Sequence, residues 1–352
     1  MMRNSNNTEW LNLLRALATI GVIVIHVSSP VVNMTYGKDM AYWWIGNVFN
    51  SSVRFAVPVF LMISGATLLN KDYPLWEFYK KRLTRVFIPL AFWMIIYWVF
   101  RWSMLAPKIQ PKSIDSIIEW GYTLFLKEGI SKHFWYVYMM FFIYLFVPFI
   151  GKWIRKLNSK STLYILTMWI LACFVLRDTP LNLYNWQKEY LSKMLAYLLY
   201  TGYLVLGFYL TKIDYLSQKN RPYILLFFVI TIFTCAFSTF NLSHKIGSLN
   251  LAFYSYLSIN TIAQSALVFL FLKDSNIKNN FIHNTISTIS NNSYGIYLAH
   301  IMVIGLFFKN GIFWTMAHPI ISLPVVILLT LLTSFAINLI VCKIPYGKHI
   351  TG

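Results

Sequence analysis

Apolar residues run along this chain in long blocks, and the polar positions fall in short clusters between them. Blocks of roughly 20 apolar residues match the length of a helix that crosses a bilayer. Ten such spans are predicted, at 10–28, 42–69, 86–106, 134–151, 162–177, 194–212, 222–240, 251–272, 290–308 and 319–342. The second is long and contains Pro58, which predicts a kink or a part lying outside the hydrocarbon. The alternating segments of about ten residues that build a β-barrel do not occur. The reading is an all-α integral membrane protein, a single bundle of about ten transmembrane helices. No repeat, linker or low-complexity tract divides it, so residues 1–352 are expected to form one transmembrane domain without a soluble extension. The longest connection, 107–133, is too short for a folded domain and reads as a re-entrant or amphipathic piece that caps a cavity.

Composition agrees with this pattern and adds an orientation. The chain is 58% hydrophobic and 12% charged, about half the charge of a soluble domain. Its net charge of +19 comes from Lys and Arg in short loops rather than from a basic domain, so topology explains it better than nucleic acid does. With the N-terminus placed in the cytoplasm, ten spans put the C-terminus there too. The cytoplasmic segments then carry 17 Lys or Arg and 5 acids, against 11 and 6 on the other side. The positive-inside rule therefore expects both termini in the cytoplasm. Cys173, Cys235 and Cys342 lie in or at the ends of spans, with no metal-type spacing and no disulfide framework. The opening MMRNSNNTEW is too short and polar for a cleaved signal peptide, so the first span reads as the insertion signal.

The first span, LLRALATIGVIVIHVSS, carries two residues that lipid accommodates only at a cost, Arg15 and His26. They stand eleven residues apart, which is nearly three helical turns and roughly 16 Å along the axis. Both therefore project from nearly one face. Arg15 could snorkel to the interface and His26 could pack through a hydrogen bond, but two such groups on one face favour a shared polar cavity. All eleven acids lie in loops or at span ends. That argues against a proton- or cation-coupled transporter and against a carboxylate metal site. A histidine together with fixed cations suits a general base that serves an anionic substrate.

Four further stretches supply candidates. In NSSVRFAVPVFLMISGATLL, Arg54 falls near the same end as His26, and Ser64 and Gly65 are small enough for close helix approach. In EFYKKRLTRVFIPL, Arg82 and Arg85 stand one turn apart just before the third span. They form either a phosphate grip or an ordinary positive-inside loop. KHFWYVYMMFF places His133, Trp135 and Tyr136 at the start of the fourth span, as an interfacial belt or a carbohydrate-stacking surface. NSYGIYLAHIMV sets Tyr294, Tyr297 and His300 one turn apart in a stripe that faces either a cavity or other helices. His244, His283, His318 and His349 read as loop residues.

Taken together these stretches resemble the membrane acyltransferase-3 family of O-acylating polysaccharide modifiers, over nearly the whole chain. The family's Arg-x10-His is matched by Arg15 and His26, its PxFFxxSG by PVFLMISG, and its RxxR by Arg82 and Arg85. An HxWF/Y element corresponds to His133, Trp135 and Tyr136, and SYGIYLAH and IPYGKHITG are similar to its late helices. NVFNSSVRFAVP resembles the NxxNSxxRxxVP run of the enterobacterial-common-antigen O-acetyltransferase subgroup. The resemblance implies transfer of an acyl group, usually acetyl, from cytoplasmic acyl-CoA (acetyl-CoA) to a glycan hydroxyl, in the inner membrane of a bacterium. It implies Arg15 and His26 as the catalytic pair, with His26 as general base. Arg54, Arg82, Arg85, His133, Trp135, Tyr136, Tyr294 and His300 are implied as substrate contacts. No resident cofactor or metal is expected, and the partners are acyl-CoA, a glycan or lipid-linked saccharide acceptor, and membrane lipid. The rival expectation is a lipid-linked glycan transporter or flippase without chemistry.

Overall fold

The computed structural model describes residues 9–109, 130–178, 186–213 and 220–351. The middle of the proposed cap, 110–129, lies outside the described residues, as does the polar N-terminus. The elements are α1 (Glu9–Thr35), α2 (Met40–Ser51), α3 (Ala56–Leu68), α4 (Leu75–Ile109), α5 (Trp135–Ile154) and α6 (Ser159–Asp178). They continue with α7 (Trp186–Thr211), α8 (Arg221–Ile246), α9 (Ile259–Leu272), α10 (Asn280–Asn291), α11 (Ser293–Lys309), α12 (Pro319–Lys343) and α13 (Gly347–Thr351). Single 3-10 turns at Lys132–Phe134, Ala252–Tyr254 and Trp314–Met316 lead into α5, α9 and α12. No strand occurs among the described residues.

Nine spans among the described residues are long and apolar enough to cross a membrane, which makes the chain a multi-pass membrane protein. The predicted tenth, 162–177, does exist as α6, but its apolar stretch Ser159–Val175 is shorter. The predicted span 42–69 is two helices, α2 and α3, joined by a turn at residues 52–55. Pro58 causes no kink, because it stands in the first turn of α3, where a missing N–H is no loss. The third span begins earlier than predicted. Pro74 accepts the first helical bond, from the Phe78 N–H at 3.0 Å, and the long straight side chains of Lys80, Lys81 and Arg82 suit a helix. The RxxR element therefore belongs to α4 itself and is not a loop. The predicted 290–308 divides into α10 and α11 at Asn292. Three of the other four histidines are not loop residues either: His244 lies in α8, His283 in α10 and His349 in α13, while His318 does lie in a connection, where it caps α12.

Burial identifies the centre of the bundle. In α1 61% of the apolar window is buried and in α2–α3 67%, against 22% in α4, α8 and α12. α1 touches α2, α3, α9, α10, α11 and α12, so most of its side chains face protein. The α3–α7 contact is closer still. A Cβ on Gly65 would sit 1.9 Å from the Leu204 carbonyl oxygen, and one on Gly207 would sit 2.1 Å from that of Met62. Two glycines thus let the backbones touch, the small-residue packing that replaces the hydrophobic drive in lipid. Gly65→Ala is expected to lower stability by about 1–3 kcal/mol through overpacking, read as a lower Tm of the detergent-solubilised protein.

α1 is also loosened where it matters. Pro30 lies inside it and lacks the N–H that would reach back to the His26 carbonyl. Around that gap Ser28 and Ser29 hydroxyls donate to the Val24 and Ile25 carbonyls, both at 2.6 Å. Asn50 of α2 adds a donor to the Ile25 carbonyl at 3.1 Å. The turn that carries His26 is therefore held by side chains of two helices as well as by its own ladder.

Candidate active site

At one end of the bundle, α1, α3, α4, α5, α10 and α11 enclose a cavity of about 350 Å³. Its lining includes Arg15, Arg82 and Arg85, with Ser64, Thr67, Tyr136, Tyr144, Ser290, Tyr294 and Tyr297, and among the described residues contains no Asp or Glu. The i, i+3 spacing on α4 aims Arg82 and Arg85 into the same space. Arg15 is fixed by donating from Nη1 to Ser290 Oγ at 3.0 Å and to Asn12 Oδ1 at 3.2 Å. Ser290 in turn donates to Asn12 at 2.9 Å, which ties α10 to α1. Three guanidinium groups that share a cavity with no carboxylate repel one another and attract an anion. Tyr294 lines the same space and donates to the Val86 carbonyl at 3.1 Å, fastening α11 to α4.

His26 is not on this cavity's lining. Its ring lies 5.1 Å, centroid to centroid, from that of His300, and His300 lies 5.3 Å from His133. Three imidazoles from α1, α11 and the turn before α5 therefore meet in the interior. Tyr297 joins them to the cavity. Its ring is 5.6 Å from His300, 5.4 Å from His133 and 5.8 Å from Tyr136, and its hydroxyl donates to the His133 carbonyl. The predicted stripe Tyr294–Tyr297–His300 is thus real but turns: the two tyrosines reach the cavity and His300 reaches His26. The cluster does not amount to a metal site, for no group of three metal-type ligands is placed to hold an ion among the described residues.

Arg54 and Trp135 meet at a third place. Arg54 is buried, with 8% of its surface exposed. It donates to Asn50 Oδ1 at 2.9 Å and to the Tyr254 carbonyl, and its guanidinium stands 4.6 Å from the centre of the Tyr256 ring. Trp135 stacks on the same Tyr256 at 5.8 Å. Through Asn50, Arg54 braces the turn that carries His26. Its fixed charge lies close enough to act on that imidazole electrostatically.

Asn50, Tyr97 and Tyr256 have parts in this arrangement that the sequence did not reveal. Tyr97 of α4 donates to the Leu298 carbonyl and accepts from the Met302 N–H, both at 3.0 Å. It thereby inserts its hydroxyl into the backbone turn that contains His300. In sequence Tyr97 is one aromatic among many in an apolar run, and no spacing marks it. Asn50 stood within the NxxNSxxRxxVP run, so an Asn four residues before a membrane Arg was the available signal.

The chain belongs to the acyltransferase-3 family: the model of that acyltransferase domain matches residues 8–339, nearly the whole chain. Its class is therefore that of a membrane acyltransferase. None of the curated proteins and none of the solved structures compared with it matches.

Proposed function

We propose that the protein moves an acyl group, acetyl in the first instance, from acyl-CoA to a hydroxyl of a cell-envelope glycan or lipid-linked saccharide. The observation that carries the reading is the acid-free cavity of three arginines that ends, through Tyr297, one ring away from the histidines. Arg82 and Arg85 hold the phosphates of coenzyme A, and Arg15 meets the donor where it passes α1. The eleven residues from Arg15 to His26 span roughly 16 Å, a distance that the pantetheine arm bridges. His26 takes the proton from the acceptor hydroxyl as its oxygen attacks the thioester carbonyl. The new C–O bond forms, the C–S bond breaks, and the departing thiolate takes up the proton held on His26. The products are the ester and free coenzyme A. Fixed cations or N–H groups stabilise the oxyanion between the two events.

The positions of the side chains support the other substrate contacts. Tyr136 and Tyr294 shape the donor cavity, and Trp135 and His133 lie toward the acceptor. Cytoplasmic termini, in the inner membrane of a bacterium, would put the arginine end of α1 where acyl-CoA is made. The NVFNSSVRFAVP run supports an acceptor like that of the enterobacterial-common-antigen O-acetyltransferase subgroup. The test is incubation of the purified protein in lipid nanodiscs with radiolabelled acetyl-CoA and a cell-envelope glycan fraction. Label is expected in the glycan and free coenzyme A in solution. A glycan that stays unlabelled, with no acetyl-CoA bound or hydrolysed, would leave the flippase expectation standing instead.

A further inference from the structure

A general base of the histidine type ordinarily works with a third group, which orients the ring and accepts a hydrogen bond from the imidazolium that forms. That group is commonly a carboxylate. Among the described residues none stands by His26: its charged neighbour is Arg54, and the only side-chain ring against it is His300. His26 has no hydrogen-bond partner of its own among the described residues. The place that a carboxylate would fill is occupied by a second imidazole.

The protonation of that imidazole follows from its neighbours. His300 Nδ1 lies at hydrogen-bond distance from the Tyr297 carbonyl oxygen. A carbonyl can only accept, so the proton sits on Nδ1 and Nε2 carries a lone pair. Nε2 is buried and has no partner. His300 is 0% exposed, so bulk solvent does not reach it. Leaving a buried acceptor unpaired costs stability, unless it is kept for a hydrogen that arrives during turnover. With the two ring centroids 5.1 Å apart, a rotation of the His26 ring is enough to bring one of its nitrogens to hydrogen-bond distance of Nε2.

We infer that His300 is the positioning residue of this reaction, a neutral stand-in for the missing carboxylate. Its Nε2 accepts a hydrogen bond from the protonated His26 while His26 holds the acceptor's proton. The inference rests on the function proposed above and assigns the stripe residue to the base rather than to the substrate. Tyr97 completes the device. By bridging Leu298 and Met302 it locks the turn in which His300 sits, and its ring packs 5.3 Å from His133. His133 stands behind His300 as an edge-on wall, its Nδ1 engaged by Ser131 Oγ at 2.6 Å.

The test compares His300→Leu and His300→Gln with His26→Ala in nanodiscs, measuring acetyl-CoA binding, kcat, and KM for the glycan acceptor. His300→Leu is expected to lower kcat by about 100-fold, with acetyl-CoA binding and acceptor KM unchanged. His300→Gln returns an acceptor oxygen near the position of Nε2, and is expected to recover roughly tenfold of that loss, the worth of one hydrogen bond. A merely structural role would weaken donor binding in both variants and give no rescue, which overturns the inference. A rise in acceptor KM with kcat intact also overturns it, by making His300 a substrate contact. If His26→Ala is inactive while His300→Leu keeps its kcat, this inference alone falls. If His26→Ala transfers acetyl normally, the proposed function loses its base, and the role of His300 falls with it.

Discussion

His26→Ala is expected to abolish acyl transfer, by at least about 100-fold in kcat, while the bundle stays folded and acetyl-CoA still binds. The separation of these effects follows from where His26 sits. Its side chain makes no hydrogen bond among the described residues, so truncation orphans no partner, and the usual large penalty of cutting a buried polar pair does not arise. The turn that holds it is secured by Ser28, Ser29 and Asn50, none of which touches the imidazole through a hydrogen bond. The donor cavity is lined by other residues. The measurement is label transfer from acetyl-CoA beside the Tm of the same preparation. Loss of transfer with a lowered Tm and no donor binding would make His26 a packing residue instead, the role that a lone helix histidine often has.

The part of this site that was legible in the sequence is the part that violates the surrounding solvent. Arg15 and His26 are visible because a charge and an imidazole stand out in an apolar run, and their eleven-residue spacing fixes a common face without any tertiary knowledge. Arg82 and Arg85 are visible through their one-turn spacing in a basic stretch beside an apolar run, although their helix starts at Leu75 and not after them. The limits of legibility are equally physical. Tyr97 and Tyr256 act through one hydroxyl or one ring face, and a chain with 23 tyrosines and 28 phenylalanines offers no contrast to pick them out. The turn between α2 and α3 was hidden because both halves are apolar. Pro58 pointed to a disturbance but misplaced it, since a proline in a helix's first turn starts the helix rather than bending it. Arg54 falls near the same end as His26 in the sequence, yet nothing local foretold that it would be buried against Tyr254 and Tyr256. That outcome needed the segment 252–258, some 200 residues away in sequence.

The double variant Arg82→Ala, Arg85→Ala is expected to weaken acetyl-CoA binding by about 100-fold or more, since hydrogen bonds to charged groups are each worth roughly 1.5–3 kcal/mol and about 1.4 kcal/mol is a factor of ten. kcat at saturating donor should change far less, because both guanidinium groups act on the handle of the donor and not on its thioester. Fold stability should hold or rise slightly. In the free protein the three arginines of the cavity face one another without a carboxylate, so removing two of them relieves repulsion. This sign distinguishes a ligand site from a structural ion cluster, where truncation would orphan partners and lower the Tm. Salt gives a second reading of the same physics, as donor binding by the unaltered protein should weaken with ionic strength more steeply than that of the variant. Isothermal titration of acetyl-CoA at two salt concentrations, with a thermal melt of each preparation, measures all three quantities. An unchanged donor affinity would remove coenzyme A phosphates from Arg82 and Arg85 and leave Arg15 as the cation through which the cavity meets its anion.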